Sequence, residues 1–220
     1  MMIYFKLGLL ALIFAPMVSG TLAVSQAPPT LKEGLSRLGI SLNPTSLYAA
    51  LQDPRPAARS GAAAELAEMK DPGAAAQIES AMAREQNKEV LFAFAQSLNS
   101  LGDSVGTTWL ERYCSNKAEA VEDRIRAAID LQLSEKYTCL PAMAEFLTSK
   151  DPAIQQSVLL YMLHIPNFQP NSPPTLGPNL LYVANGGATE YLRNLAGKVV
   201  MKIGDDATRS SYQLQHPKLN

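Results

Sequence analysis

The sequence predicts an all-α chain of about ten helices, arranged as helix pairs stacked into a superhelix. Three observations predict it: one helical face recurs five times along the chain, a second amphipathic helix precedes each recurrence, and turn signals fall between them. No period-2 run of β-branched residues is long enough for a strand. A lone amphipathic pair cannot bury its apolar stripe, so neighbouring pairs must stack.

In chain order, the first element is an address. Lys6 is followed by the apolar run Leu7 to Val18 and then by small residues, and no charge appears again until Lys32. One basic residue, a short apolar core and a cleavage-like Val18-Ser19-Gly20 or Ala23-Val24-Ser25 read as a secretory signal peptide over residues 1–25. The run is shorter than the roughly 20 residues of a spanning helix, and Pro16 interrupts it. The expectation is export, to the periplasm or outside the cell, with contact to a membrane only if this segment stays uncleaved. Residues 26–43 read as a short linker.

The repeated face follows. Its first positions are Ala58, Val90, Ile125, Ile154 and Leu192, at steps of 32, 35, 29 and 38 residues. Four residues on stand Ala62, Phe94, Ile129, Val158 and Ala196. Four more give Leu66, Leu98, Leu133, Met162 and Val200, and three more give Met69, Leu101, Lys136, Ile165 and Ile203. All are apolar except Lys136, and the spacing is one face of an α-helix. The preceding helices carry apolar pairs four apart: Leu47/Leu51, Ile78/Met82, Leu110/Cys114, Met143/Leu147 and Leu180/Ala184. Asp53-Pro54, Asp71-Pro72-Gly73, Gly102-Asp103, Asp151-Pro152 and Asn185-Gly186-Gly187 supply the turns. Asp before Pro suits a helix start, since Asp caps free amides and Pro tolerates the first turn. Gly61, Ala93, Ala128 and Ser157 are small where helices must approach closely.

These residues resemble the HEAT-repeat family in its short bacterial, lyase-like form. The resemblance rests on Asp53-Pro54 with Ala58-Arg59, Ala62-Ala63 and Leu66, then Lys70-Asp71-Pro72; Glu122 to Leu131 and Leu192-Arg193 with Val200 and Gly204-Asp205 repeat it. It covers Pro44 to Asp205 and implies a right-handed α-solenoid of about five HEAT-like helix-pair repeats over residues 44–205. In the family an Asp six residues before an Arg forms a charged ladder. Asp53 and Arg59 match, Arg126 and Arg193 recur at the arginine position, but Leu91 and Gln155 interrupt the row.

A proline-rich loop occupies residues 166–178, with five prolines in thirteen residues, and residues 206–220 read as a polar flexible tail. It accounts for the longest repeat step.

Chemistry is sparse. Nineteen Lys and Arg against 20 Asp and Glu leave a net charge of −1, without the basic excess of a nucleic-acid binder. His164 reads as a capping residue at a helix end and His216 lies in the tail, neither at metal-ligand spacing from another ligand. No phosphate loop, nucleophile elbow or Cys-x-x-Cys occurs, so no catalytic, cofactor or metal residue is assigned. Phe92, Trp109 and Tyr113 either fill gaps between repeats or form a contact patch. Export favours a Cys114–Cys139 disulfide. Parallel packing of adjacent first helices opposes it, because eight residues of offset put the pair about 12 Å apart along the axis, beyond the roughly 7 Å a bridge allows.

The functional expectation is an exported, non-catalytic HEAT-repeat scaffold that holds a protein partner on its concave face. Arg55, Arg59, Leu91, Arg126, Gln155 and Arg193 are the candidate partner-binding residues, expected to point outward. Arg59, Arg126 and Arg193 form a row that meets a partner's carboxylates or pairs internally with acids such as Asp53, Glu119 or Glu190. The alternatives are an enzyme of the bilin-lyase-like HEAT type and a permanent structural subunit of an envelope complex.

Overall fold

A computed structural model describes residues 30–167 and 172–217. The signal-peptide expectation for residues 1–25 lies outside them. Twelve helices make up the described chain, with no strand: α1 (Leu31–Arg37), α2 (Pro44–Ala50), α3 (Pro56–Glu68), α4 (Ala74–Met82), α5 (Lys88–Ser100), α6 (Ser104–Ser115), α7 (Val121–Gln132), α8 (Leu140–Phe146), α9 (Pro152–Leu163), α10 (Leu176–Gly186), α11 (Glu190–Ile203) and α12 (Asp206–Gln215). Five pairs, α2/α3 through α10/α11, are the repeats.

The two extra helices form where the sequence reading has a linker and a flexible tail. Thr30 and Glu33 close a capping box at the start of α1, and Leu35 packs over Gly61 of α3. Asp205 caps α12 through the Thr208 amide, and Tyr212 lies buried against Gly197 of α11. Each covers an end of the stack, as terminal elements of a solenoid must. The proline-rich segment is also shorter than expected: Leu176, Gly177 and Pro178 already belong to α10.

One continuous core runs through all five pairs. The first-helix pairs from Leu47/Leu51 to Leu180/Ala184 are buried as the spacing predicts. The second helices pack against one another in sequence, α3 on α5, α5 on α7, α7 on α9 and α9 on α11, whereas among the first helices only α8 and α10 approach comparably. The tighter layer is the inner one, so the second helices line the concave side.

Repeat three departs from the expected register by two residues. Leu133, assigned to the core, is 63% exposed, and Leu131 is fully buried in its place. The backbone shows why. The helix-ending bond from Asp71 N to Leu66 O recurs from Asp103 N to Leu98 O and from Lys136 N to Leu131 O. A left-handed residue after α3, α5 and α7 recurs with it, at Lys70, Gly102 and Glu135. Leu131, not Leu133, therefore matches Leu66 and Leu98, and Arg124 rather than Arg126 matches Arg59. Met69, also assigned to the core, is 42% exposed at a helix end.

The aspartates of the turns divide. Asp151 caps Ala153 N of α9 at 2.8 Å and Asp103 caps Val105 N of α6 at 2.7 Å. Asp53 and Asp71 instead close turns onto the Arg55 and Gly73 amides, outside the helices they precede.

Candidate protein-binding face

The expected outward row turns mostly inward. Arg59 sends Nη1 to the carbonyl of Asp53, six residues back, at 2.8 Å. Gln155 reaches Ser149 O at 2.9 Å and Arg193 reaches Gly187 O at 2.7 Å, each again six residues back. In all three repeats this side chain ties the second helix to the turn before it. Gln155 is buried, contrary to the outward placement expected, and Leu91 packs half-buried against the core. Arg124 fills the row position in repeat three, buried, donating to Cys114 O at 2.8 Å and lying 4.6 Å over the Phe146 ring.

The charged ladder is different from the family spacing. The Asp53 carboxylate binds Arg55 twice, at 2.8 and 2.7 Å, and these bonds hold it down at about 2. Arg59 meets Glu85 of the next repeat instead, at 2.6 and 3.0 Å. Burial pushes the Glu85 carboxyl up, but the Arg59 guanidinium and the Asn87 and Gln86 amides outweigh it and hold it low. This pair walls an open cleft of about 460 Å³ between repeats one and two, which Gln52, Asp53 and Arg84 also line. Arg126 pairs with Glu89 at 2.6 Å and lies 4.3 Å over Phe92. Phe92 is fully buried with Trp109 and Tyr113 around it at centroid distances of 5.1 and 4.8 Å, so the three aromatic rings fill the space between α5 and α6.

Two polar features escaped the sequence reading. Glu65, Ser97, Asp130 and Tyr161 occupy one position in four successive second helices, and all are buried. Burial pushes the Asp130 carboxyl up to about 7, only partly offset by Arg126, and the Tyr161 hydroxyl has no partner among the described residues. The second feature is a ladder between helices. Asn99 donates to Asp130 O at 3.0 Å and Gln132 donates to Tyr161 O at 2.8 Å, equivalent bonds one repeat apart. These bonds cross the α5–α7 and α7–α9 junctions, where the helices approach less closely than α3–α5 or α9–α11.

Cys114 and Cys139 form a disulfide, with Cα atoms 6.0 Å apart. The geometric objection fails because α6 and α8 do not lie parallel in register: the last turn of α6 meets the start of α8, where Cys139 is the N-cap. Both cysteines are buried. His164 Nδ1 lies 2.7 Å from Leu160 O, as a helix-end residue does, and His216 contacts Asn185 Oδ1 at 3.0 Å. Among the described residues no three His, Cys, Asp or Glu cluster as metal ligands, and no helix is long and apolar enough to cross a membrane.

With the row folded inward, the solvent-facing inner surface is built by other residues. In register across α3, α5, α7, α9 and α11 stand Ala64, Gln96, Ile129, Leu160 and Lys198, and one turn on stand Glu68, Ser100, Leu133, His164 and Lys202.

Residues 44–129 match the family model described as HEAT repeats. The match spans α2 into α7, and the register of hydrogen bonds carries the same pattern into α9 and α11. Among curated proteins no similar sequence is found.

Proposed function

This chain is a HEAT-repeat protein, and on that premise we propose that it is an exported, non-catalytic scaffold that holds a protein partner on its concave face. The observation that carries the reading is the inner layer itself: five second helices in a row present equivalent positions to solvent along one open surface. Such a surface suits a protein segment better than a small substrate, which needs a concave enclosure. A buried disulfide supports export, since such bonds persist in oxidising compartments. The N-terminal sequence supports it independently.

The test is photo-cross-linking in the native host. A photoreactive residue placed at Gln96 or Leu133 on the inner face should capture a protein, while one at Tyr182 on α10 should not. Equal capture from both positions, or capture from Tyr182 alone, would remove the inner face as the binding surface. Amino-terminal sequencing of the native protein tests export, and an intact Met1 on protein from the cytoplasm refutes it.

A further inference from the structure

The inner face changes character along the stack. Its first two repeats present Glu68, Ala64 and Gln96; its middle presents Ile129, Leu133 and Leu160; its last presents Lys198 and Lys202, with His164 between. Leu133 is 63% exposed and Leu160 36%, so an apolar strip faces solvent at the centre. Ile129 and Leu160 stand in register on α7 and α9, Leu133 lies one turn on from Ile129, and a basic edge lies beside them. Lys202 places its ammonium 2.6 Å from Leu163 O, at the end of α9, which fixes this charge next to the strip.

We propose that this strip binds a peptide segment of a partner protein in which apolar residues are followed by carboxylates, the carboxylates lying over α11. The proposal rests on the concave-face reading and adds the chemistry of the partner. Adjacent packed helices stand about 8–10 Å apart and an extended chain advances about 3.3 Å per residue, so roughly three residues pass each helix. The matching segment thus carries apolar residues about three positions apart, over α7 and α9, and acidic residues about three positions further on. The apolar side chains cover Leu133, Ile129 and Leu160, and the carboxylates meet Lys198 and Lys202. A basic segment meets like charge at the same place, which sets the direction of binding as well as its specificity.

The experiment uses the purified chain and three fluorescein-labelled twelve-residue peptides. One carries Leu at two positions three apart and Glu-Glu three further on; the second has Lys-Lys for Glu-Glu; the third has Ser for both Leu. Anisotropy titrations should show the acidic peptide binding at least tenfold more tightly than either control. Leu133→Glu should abolish that binding, and Lys198→Glu with Lys202→Glu should reverse the charge preference, with helicity unchanged by circular dichroism. The lysine pair keeps the test decisive should Leu133→Glu alter the fold. Equal affinity for the three peptides, no binding of the acidic one, or an unreversed preference overturns the proposal. Cross-linking from Gln96 or Leu133 that persists alongside such a result leaves the scaffold reading standing and removes only the apolar-acidic assignment; loss of both removes the scaffold as well.

Discussion

Replacing Cys114 and Cys139 by alanine tests how the middle of the stack is held. The bridge closes a loop of 25 residues. The loop-closure entropy removed from the unfolded chain corresponds to about 3.5 kcal/mol at 25 °C. For a chain of this size that is a fall in melting temperature of about 7–14 °C. The location makes a sharper claim than the magnitude. The bond ties α6 to α8, first helices that make little other contact, across the junction where α7 packs less closely on α9 than α9 packs on α11. Solenoid stability is close to a sum of repeat and interface terms. Hydrogen exchange in the double variant should therefore accelerate first in α7 and α8, with α3 and α5 protected nearly as before. Reduction of the wild type under denaturant should reproduce the loss. A change in melting temperature below about 1 °C, or exchange rising evenly through the chain, would show that the bridge does not hold this junction.

Four further outcomes follow from named contacts. Arg59→Leu leaves the Glu85 carboxylate with only its Gln86 and Asn87 amides and should cost about 1–3 kcal/mol, while adding Glu85→Gln should recover most of it, read by urea denaturation. Asp130 carries a carboxyl raised to about 7, so the folded chain holds a proton that the unfolded chain releases above about pH 4; stability should fall as pH rises from about 4 to 7, by at most about 1.4 kcal/mol per unit, then level off, and Asp130→Asn should remove the slope in urea melts across that range. Gln132→Ala removes the donor to Tyr161 O and should cost about 1 kcal/mol, with faster exchange at the α7–α9 junction. Gly106→Ala would place a Cβ 2.5 Å from Ala95 O, so α6 must move off α5, at a cost of about 1–3 kcal/mol in the same denaturation assay.

The helix-pair architecture was legible because buried apolar positions recur at helical spacing, and that spacing survives without any knowledge of contacts. Register in repeat three was not. Arg124 and Arg126 flank Ile125, so an arginine follows or precedes the same apolar residue, and Asp123 stands where Ala58 stands in repeat one. Only the helix-ending bond to Leu131 O decides between the two. The end helices escaped because each buries few side chains: Leu35 in α1, Thr208 and Tyr212 in α12. The disulfide stays open in the sequence because the argument against it assumes parallel first helices, an orientation no local pattern fixes. Arg59, Gln155 and Arg193 turn inward, against expectation, for a related reason. A long polar side chain beside a core column reads as solvent-facing, yet a turn carbonyl six residues back offers it a partner that no spacing rule reveals.

The inward turn of that row separates stability from recognition along the stack. At its ends, α3–α5 and α9–α11 pack closely, with the Arg59–Glu85 pair and the Lys202 bond to Leu163 O added at their edges. At its middle the second helices are joined by Asn99 and Gln132 reaching carbonyls across the gap and by the Arg126–Glu89 pair, and the first-helix layer behind them by the Lys117–Glu145 pair and one disulfide. Hydrogen bonds of this kind contribute about 1 kcal/mol each and exposed ion pairs less, so this junction adjusts at lower cost than a packed one. Ile129, Leu133 and Leu160 lie on the two helices that meet there. The proposed docking strip thus spans the joint most able to change curvature, and the disulfide behind it limits how far the joint can open. A segment laid across α7 and α9 would stiffen that joint by adding the apolar contact it lacks. Slower exchange in α7 and α9 on binding, with α3 unchanged, is the mark of that arrangement.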